Sequence, residues 1–324
     1  MRIKILIIKL SSLGDVVHAI PTVNALAQIY PEAQIDWLIY SKFSGIIKSQ
    51  SSINIIHKLD NKKLSTIIQA VKNLQKENYD LVVDLQGLIK TAIIARSISN
   101  NVIGFKQPRE KLAALFYKTK VDAGDVMDSS MHVVERNLAI ASSLHRNSFT
   151  LEINFGELTK TSGTLRTDSK ICLIPCTTWD TKHWPAQRWI ELMQQLKTKA
   201  PKVEVYILGT LGDLPKIEAI TSKLRVPFHL VVNKTLEELP EFFSEMDVVI
   251  GVDTGPLHIA AAALYGSSAQ VIGLYGPTSG ARTGPYGFQY ISAEELTGIQ
   301  AQHKRKDDES MSLIRVEDVL KKIS

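Results

Sequence analysis

The sequence predicts an α/β protein made of two similar halves, each a parallel sheet of βαβ units. Short apolar runs alternate with segments of helical period, which is the pattern a parallel sheet with crossover helices requires. The alternation stops at a polar stretch, GELTKTSGTLRTD at 156–168, and then starts again. The 324-residue chain, 44% apolar and 22% charged, is long enough to bury two cores.

In chain order, IKILIIKL at 3–10, IDWLIY at 35–40 and DLVVDL at 80–85 read as strands, and LSTIIQAVKNLQ at 64–75 as a helix. Beyond the polar stretch come strand KICLIP, helix PAQRWIELMQQLK, strand VEVYILG, helix DLPKIEAITSKL, strand DVVIGV and the apolar helix LHIAAAALYG. The stretch 300–311 is strongly polar, and RVEDVLKKI at 315–323 reads as a short amphipathic helix that packs on one of the domains. The expected organisation is a first domain over 1–155, a linker over 156–168, a second domain over 169–300, and a polar segment with a helix over 301–324.

No apolar run approaches the roughly 18 residues of a spanning helix. The opening MRIKILIIKL carries Lys4 and Lys9 with no small-residue cleavage site after it, so a cytoplasmic chain without a signal peptide is expected. Cys172 and Cys176 have no partner pair at metal spacing and read as free thiols. Residues 1–160 hold 20 Lys and Arg against 14 Asp and Glu, while the remainder holds 18 against 19. The first half is therefore basic, which suits an anionic partner as well as a solvated lysine-rich surface. Nucleic acid is not expected as that partner, because no recognition motif or basic–aromatic interleaving is present.

In open parallel sheets, ligands bind outside the C-terminal ends of the strands, so the residues just after strands matter most. The first strand runs into KLSSLGDVVHAIP, Lys9 to Pro21. Gly14 lets backbone amides approach a ligand, and Asp15 stands at the entry to the next helix, where a carboxylate also serves as a cap. After KICLIP come Thr177, Thr178 and Lys182, ahead of a helix starting near Pro185. Hydroxyls, a lysine and a helix N-terminus together suit a phosphate group, whereas Trp184 and Trp189 read as core. After DVVIGV, Asp253, Thr254 and Gly255 form a turn and His258 stands in the first turn of an apolar helix whose positive end would suit a diphosphate. A G-x-G-x-x-G fingerprint, a P-loop, a nucleophile elbow, an H-E-x-x-H zinc site and a D-x-D element are all absent. No cofactor or metal is expected.

Three motifs in this order, KLSSLGDVVHAIP, TTWDTKHWPAQRW and DTGPLHIAAA followed by LYGPT at 274–278, resemble those of the bacterial lipopolysaccharide heptosyltransferases of the ADP-heptose type. The D-TKHWP form, with DLQGLIKTA at 84–92 and REKLAALFY at 109–117, looks most like the members that add the first heptose of the inner core. The resemblance implies a GT-B fold, two Rossmann-like domains facing a central cleft. It implies inverting, metal-independent transfer of heptose from ADP-L-glycero-D-manno-heptose to Kdo-lipid A, with Asp15 as general base. Thr177, Thr178, Lys182, Asp253, Thr254, Gly255 and His258 are then the implied donor-binding residues, with Asp213 the nearest candidate for an acidic ribose contact. Ser12, Gly14, Lys90 and Arg109, which sit inside these motifs, are the acceptor-binding candidates, joined on the basic charge of the first half by Lys62 and Lys63, which read equally as a solvated loop. The polyanionic acceptor would be met at the cytoplasmic face of the inner membrane, with the protein held there peripherally. Transfer of a later core heptose, use of another nucleotide sugar, and non-catalytic binding with Asp15 only a cap stay open on the sequence.

Overall fold

The computed structural model describes residues 2–126, 128–145, 155–156, 166–298 and 308–323, and the chain divides into two compact units, Met1–Gly156 and Glu157–Ser324. Most of the expected linker, 157–165, and residues 299–307 lie outside the described residues.

In the first unit the strands are β1 (Lys4–Ile8), β2 (Gln34–Tyr40), β3 (Ile55–Leu59), β4 (Leu81–Asp84), β5 (Val102–Phe105) and β6 (Thr119–Val121). The helices are α1 (Leu13–Val17), α2 (Ile20–Ile29), α3 (Leu64–Gln75), α4 (Ile89–Ile98) and α5 (Val133–Leu144), with a 3-10 turn over Lys111–Phe116. All neighbouring strands pair in parallel, in the order β3-β2-β1-β4-β5-β6. β1, β2 and β4 are buried almost throughout, because a parallel sheet is covered on both faces. α3, α4 and the 3-10 turn bury Ile67, Leu74, Ala92, Ile94, Ala95 and Ala113 in one cluster on one face of this sheet.

The second unit repeats the plan. Its strands are β7 (Lys170–Ile174), β8 (Glu204–Gly209), β9 (His229–Val232), β10 (Val248–Val252), β11 (Gln270–Tyr275) and β12 (Gln289–Ser292), in the order β12-β11-β10-β7-β8-β9 and again all parallel. Its helices are α6 (Ala186–Lys199), α7 (Leu214–Thr221), α8 (Leu239–Ser244), α9 (Gly255–Leu264), α10 (Gly280–Thr283), α11 (Ala293–Thr297) and α12 (Val316–Leu320). Counted from its own first strand, each sheet has the doubly wound order 3-2-1-4-5-6, so each has a switch point where the chain reverses direction across the sheet. That point lies between β1 and β4 in one unit and between β7 and β10 in the other.

The amphipathic α6 buries Trp189, Ile190, Met193 and Leu196 at helical spacing. Pro185 is its N-cap, one residue before the helix proper. α9 is apolar apart from His258 and buried from Leu257 to Leu264. Met311, Ile314, Val316, Val319, Leu320 and Ile323 join the core of the second unit, so α12 packs there, against α6. Trp184 donates from Nε1 to the Ile314 carbonyl at 2.9 Å and meets Trp189 edge-on at 4.9 Å, which makes both tryptophans part of this core. Both cysteines are buried free thiols, and burial pushes that of Cys176 up to about 12.

Candidate active site

Each switch point holds a cluster of polar side chains. In the first unit, β1 delivers the segment Lys9–Ser12, and Ser12 is the N-cap of α1. Asp15 is therefore not the N-cap but the third helical residue, and its Oδ2 closes a capping box by accepting from Ser12 N at 3.0 Å and Ser12 Oγ at 2.8 Å. Its Oδ1 has no hydrogen-bond partner among the described residues and is not sealed from solvent. Burial alone would raise the pKa of this carboxyl, but the Lys9 cation, the two Ser12 bonds and Arg109 hold it below the ordinary 3.8. Lys9 is only 5% exposed and donates to the Leu85 carbonyl at 2.8 Å. Burial lowers its own pKa, opposed by Asp15 and Asp84.

The loop that carries Asp15 is clamped from β4. Gln86 Oε1 accepts from Leu10 N at 2.9 Å and Ser11 N at 3.1 Å. Asp84, fully buried, holds the next turn by accepting from Gln86 N, Gly87 N, Thr91 Oγ1 and Tyr117 Oη at 2.8–3.2 Å. Gly87 has φ +68°, and a Cβ there would press on the Arg109 amide nitrogen at 3.2 Å, so the turn and the Arg109 segment need a glycine between them.

Ser12, Gly14 and Asp15 are contiguous at this end of the sheet. Arg109, just after β5, is close enough to act electrostatically on Asp15 and Lys9. Lys90, in the first turn of α4, reaches the Tyr40 hydroxyl at 3.3 Å. Lys62 and Lys63 stand exposed between β3 and α3, at the same edge but without a bond to the other candidates. His18 is buried, with its ring edge-on to His132 at 5.6 Å, a packing role in the α1–α5 layer.

In the second unit Asp253 is the hub. Its Oδ2 accepts from Lys182 Nζ at 2.5 Å and Thr278 Oγ1 at 2.8 Å, its Oδ1 lies 3.4 Å from His258 Nε2, and its backbone carbonyl accepts from Thr177 Oγ1 at 3.1 Å. Burial opposes its charge, yet His258 and Lys182 outweigh burial and hold the carboxyl far below the usual carboxylate range. The arrangement thus unites residues after β7, β10 and β11. Thr254 is the N-cap of α9 and Gly255 its first residue, so the N-terminal amides of a ten-residue buried helix sit beside the Lys182 ammonium. That combination can take up a phosphate oxygen. Thr178 is exposed in the same loop.

Asp213 lies apart from this hub. Its Oδ2 closes the turn after β8 by accepting from Thr210 N at 2.9 Å and Thr210 Oγ1 at 2.7 Å. Thr278, in the LYGPT motif, is a hub member to which sequence reasoning assigned no role; its hydroxyl position one strand away from Asp253 was the available signal. A second group was missed in the same way. His183 Nε2 accepts from Thr177 N at 3.3 Å while Nδ1 faces the Asp180 carbonyl at 3.2 Å, which assigns the Nδ1–H tautomer, and Lys216 Nζ bridges Asp180 at 2.8 Å and His183 at 3.2 Å. Burial, with Lys216 adding to it, lowers the His183 pKa and keeps the ring neutral. A cavity of about 300 Å³ opens beside this group, against Pro175, Cys176, Trp184 and α7. Among the described residues, no three His, Cys, Asp or Glu side chains gather as metal ligands.

The profile of glycosyltransferase family 9 (heptosyltransferase) matches residues 67–314. Over 342 aligned residues the chain is 27% identical to lipopolysaccharide heptosyltransferase 1 of Campylobacter coli, spanning 98% of this chain and 97% of that one. It is 28% identical to lipopolysaccharide heptosyltransferase 1 of Escherichia coli K12, with 88% and 91% covered. Among solved structures, the E. coli heptosyltransferase WaaC with ADP superposes with a TM-score of 0.78 at 23% identity, covering 98% of both chains. The E. coli ADP-heptose lps heptosyltransferase II superposes at 0.76 and 19%, covering 99% of this chain and 97% of that one. These superpositions show the GT-B fold of two Rossmann-like domains. With the profile spanning β4 to β6 of the first sheet and the whole of the second, and with it the hub after β7, β10 and β11, the chain belongs to glycosyltransferase family 9, the heptosyltransferases.

Proposed function

We propose that this glycosyltransferase moves a heptose from ADP-L-glycero-D-manno-heptose to the Kdo of Kdo-lipid A, with inversion and without a metal. The observation that carries the reading is the Asp15 carboxylate, one oxygen pinned by Ser12 and the other unoccupied, ionised at the switch point of the first sheet. Support for the donor comes from the solved WaaC complexes, one with ADP and one with ADP-2-deoxy-2-fluoro heptose. Support for the first-heptose acceptor comes from the curated heptosyltransferase 1 relatives, at 26–28% identity against 23% for a heptosyltransferase 3.

The chemistry is a single displacement. Asp15 Oδ1 takes the proton of the acceptor hydroxyl as that oxygen bonds to the anomeric carbon, and the bond from that carbon to the ADP oxygen breaks. Positive charge develops on the sugar and negative charge on the departing diphosphate. Lys182, aimed by Asp253, meets the second together with the Thr177 and Thr178 hydroxyls and the N-terminus of α9. Thr254, Gly255 and His258 line the donor pocket in this reading, and Asp213 meets the ribose through its remaining oxygen. Ser12, Gly14, Lys62, Lys63, Lys90 and Arg109 meet the phosphates and carboxylates of the acceptor. The protein works at the cytoplasmic face of the inner membrane as a peripheral enzyme; among the described residues no helix is long and apolar enough to cross a membrane.

The test is ADP release from ADP-heptose, in the presence of a chelator, with delipidated Kdo-lipid A or with an acceptor that already carries heptose. Release with the first acceptor is expected. Release only with the heptosylated acceptor would move the reaction to a later core heptose, and dependence on added divalent metal would overturn the proposed charge balance.

A further inference from the structure

The outer face of the layer formed by α3, α4 and the 3-10 turn Lys111–Phe116 combines two properties that a solvated surface avoids. Leu64 and Ile68 on α3, Ile93 on α4, and Leu112 and Leu115 on the turn are each between 45% and 73% exposed. Among the described residues of the first unit, the only other exposed large apolar side chain is Ile55, on edge strand β3. The exposure is patterned. Leu64 and Ile68 are four residues apart on α3, and Leu112 and Leu115 eclipse one another at 3-10 spacing, so each pair projects on one side. The three elements bury their opposite faces in one cluster on one side of the sheet, which places these pairs on a common outer surface.

Charge on the same layer has one sign. The segments 61–76, 88–100 and 111–116 hold Lys62, Lys63, Lys72, Lys76, Lys90, Arg96 and Lys111 and no aspartate or glutamate. Three carboxylates flank these segments: Glu77 is paired with Lys4 at 3.2 Å, Glu110 accepts from Ile89 N at 2.7 Å, and Asp60 accepts from the Ser41 hydroxyl. Lys72 continues the Leu64–Ile68 stripe one turn further, Arg96 follows Ile93 by three residues, and Lys111 adjoins Leu112. Apolar side chains among segments with seven cations and no acid of their own are complementary to a bilayer whose headgroups are anionic and whose interior is hydrocarbon.

We propose that this face is a membrane-docking surface: Leu64, Ile68, Ile93, Leu112 and Leu115 enter the headgroup region of an anionic bilayer while Lys72, Lys76, Lys111 and Arg96 bind its phosphates. The proposal deepens the peripheral-membrane reading given above, and it accounts for how a lipid-anchored acceptor reaches Lys62, Lys63 and Lys90, which border the same layer. No single residue dominates. The apolar set is discontinuous and short, so attachment is reversible and depends on both terms, as two-signal anchoring requires.

The experiment is co-flotation of the full chain with phosphatidylethanolamine–phosphatidylglycerol vesicles and with phosphatidylcholine vesicles, at low and high salt. Binding to the anionic vesicles, weakened at least tenfold by salt and by neutral lipid, is expected. Leu112→Glu/Leu115→Glu and, separately, Lys72→Glu/Lys76→Glu should each lower it at least tenfold. Both should leave transfer to a delipidated acceptor in solution unchanged, which doubles as the check on folding. Vesicle binding requires no donor, so it stands even if the acceptor assignment fails. Undiminished vesicle binding by both variants would overturn the proposal. So would sedimentation showing a wild-type dimer that Leu112→Glu/Leu115→Glu converts to monomer, since the face would then be a subunit interface.

Discussion

Asp15→Asn separates the two roles that one carboxylate can play at a helix start. Both Ser12 donors converge on Oδ2, at 3.0 Å from the amide and 2.8 Å from the hydroxyl. The amide oxygen of asparagine can occupy that place, so the capping box persists and only the charge assistance to it is lost. That loss is about 1 kcal/mol or less, and the relief of burying a charge offsets part of it. A melting shift no greater than about 4 °C follows. Catalysis loses more, because the free Oδ1 becomes an NH2 group that donates where an acceptor is needed. General-base assistance is worth about 100- to 10,000-fold, or about 2.7–5.4 kcal/mol of barrier. The assay is the initial rate of ADP release at saturating donor and acceptor, with calorimetric ADP-heptose binding and a thermal melt on the same sample. Donor affinity and melting near wild type with a rate reduced at least 100-fold is the expected result. A rate within about threefold of wild type would refute Asp15 as the base and leave it a capping residue.

Lys9→Met removes the cation that does most to keep Asp15 ionised, so the Asp15 pKa should rise. Activity needs the deprotonated form, so the acid limb of kcat/KM should move to higher pH than in wild type, where the group titrates below 3.8; coincident pH profiles would show that Lys9 does not govern this group. Asp253→Asn leaves the Lys182 ammonium, 15% exposed, without its counter-charge and should cost about 3–5 kcal/mol in urea unfolding, with part recovered on adding Lys182→Met. Because the folded pKa of Asp253 is depressed, its contribution is complete above its unfolded value near 3.8 and is lost as pH falls toward the folded value. Wild-type stability should therefore fall in that acid window more steeply than that of Asp253→Asn, as urea midpoints against pH would reveal. Gly104→Ala places a Cβ inside van der Waals contact of the Tyr117 ring, whose hydroxyl holds Asp84 at 2.8 Å. A loss of about 1–3 kcal/mol is expected, and an unchanged melting temperature would mean that Tyr117 gives way freely.

The alternation of strands and helices was legible in the chain because periodicity is local: Leu64–Gln75 and the apolar run at 255–264 announce helices without reference to anything distant. The edge of each sheet that carries polar chemistry was legible for the same reason, since Asp15, Thr177, Lys182 and Asp253 each stand in the segment that directly follows a strand. The tertiary structure decided what those residues do to one another. Whether Asp15 or Ser12 caps α1 could not be read from SSLGD, because either type suits the position; backbone geometry assigns the cap to Ser12 and leaves an Asp15 oxygen unoccupied. Asp253 meets Lys182 and Thr278 because β10 lies between β7 and β11, an order that no local pattern states. The clamp of Gln86 on Leu10 and Ser11, and the common outer face of α3, α4 and the turn after β5, depend likewise on β4 pairing with β1 and on three crossovers lying on one side of a sheet. The chain by itself determined which segments become strands and helices and which residues stand at their ends. Strand order, set by burial of both sheet faces at once, decided which of those ends meet.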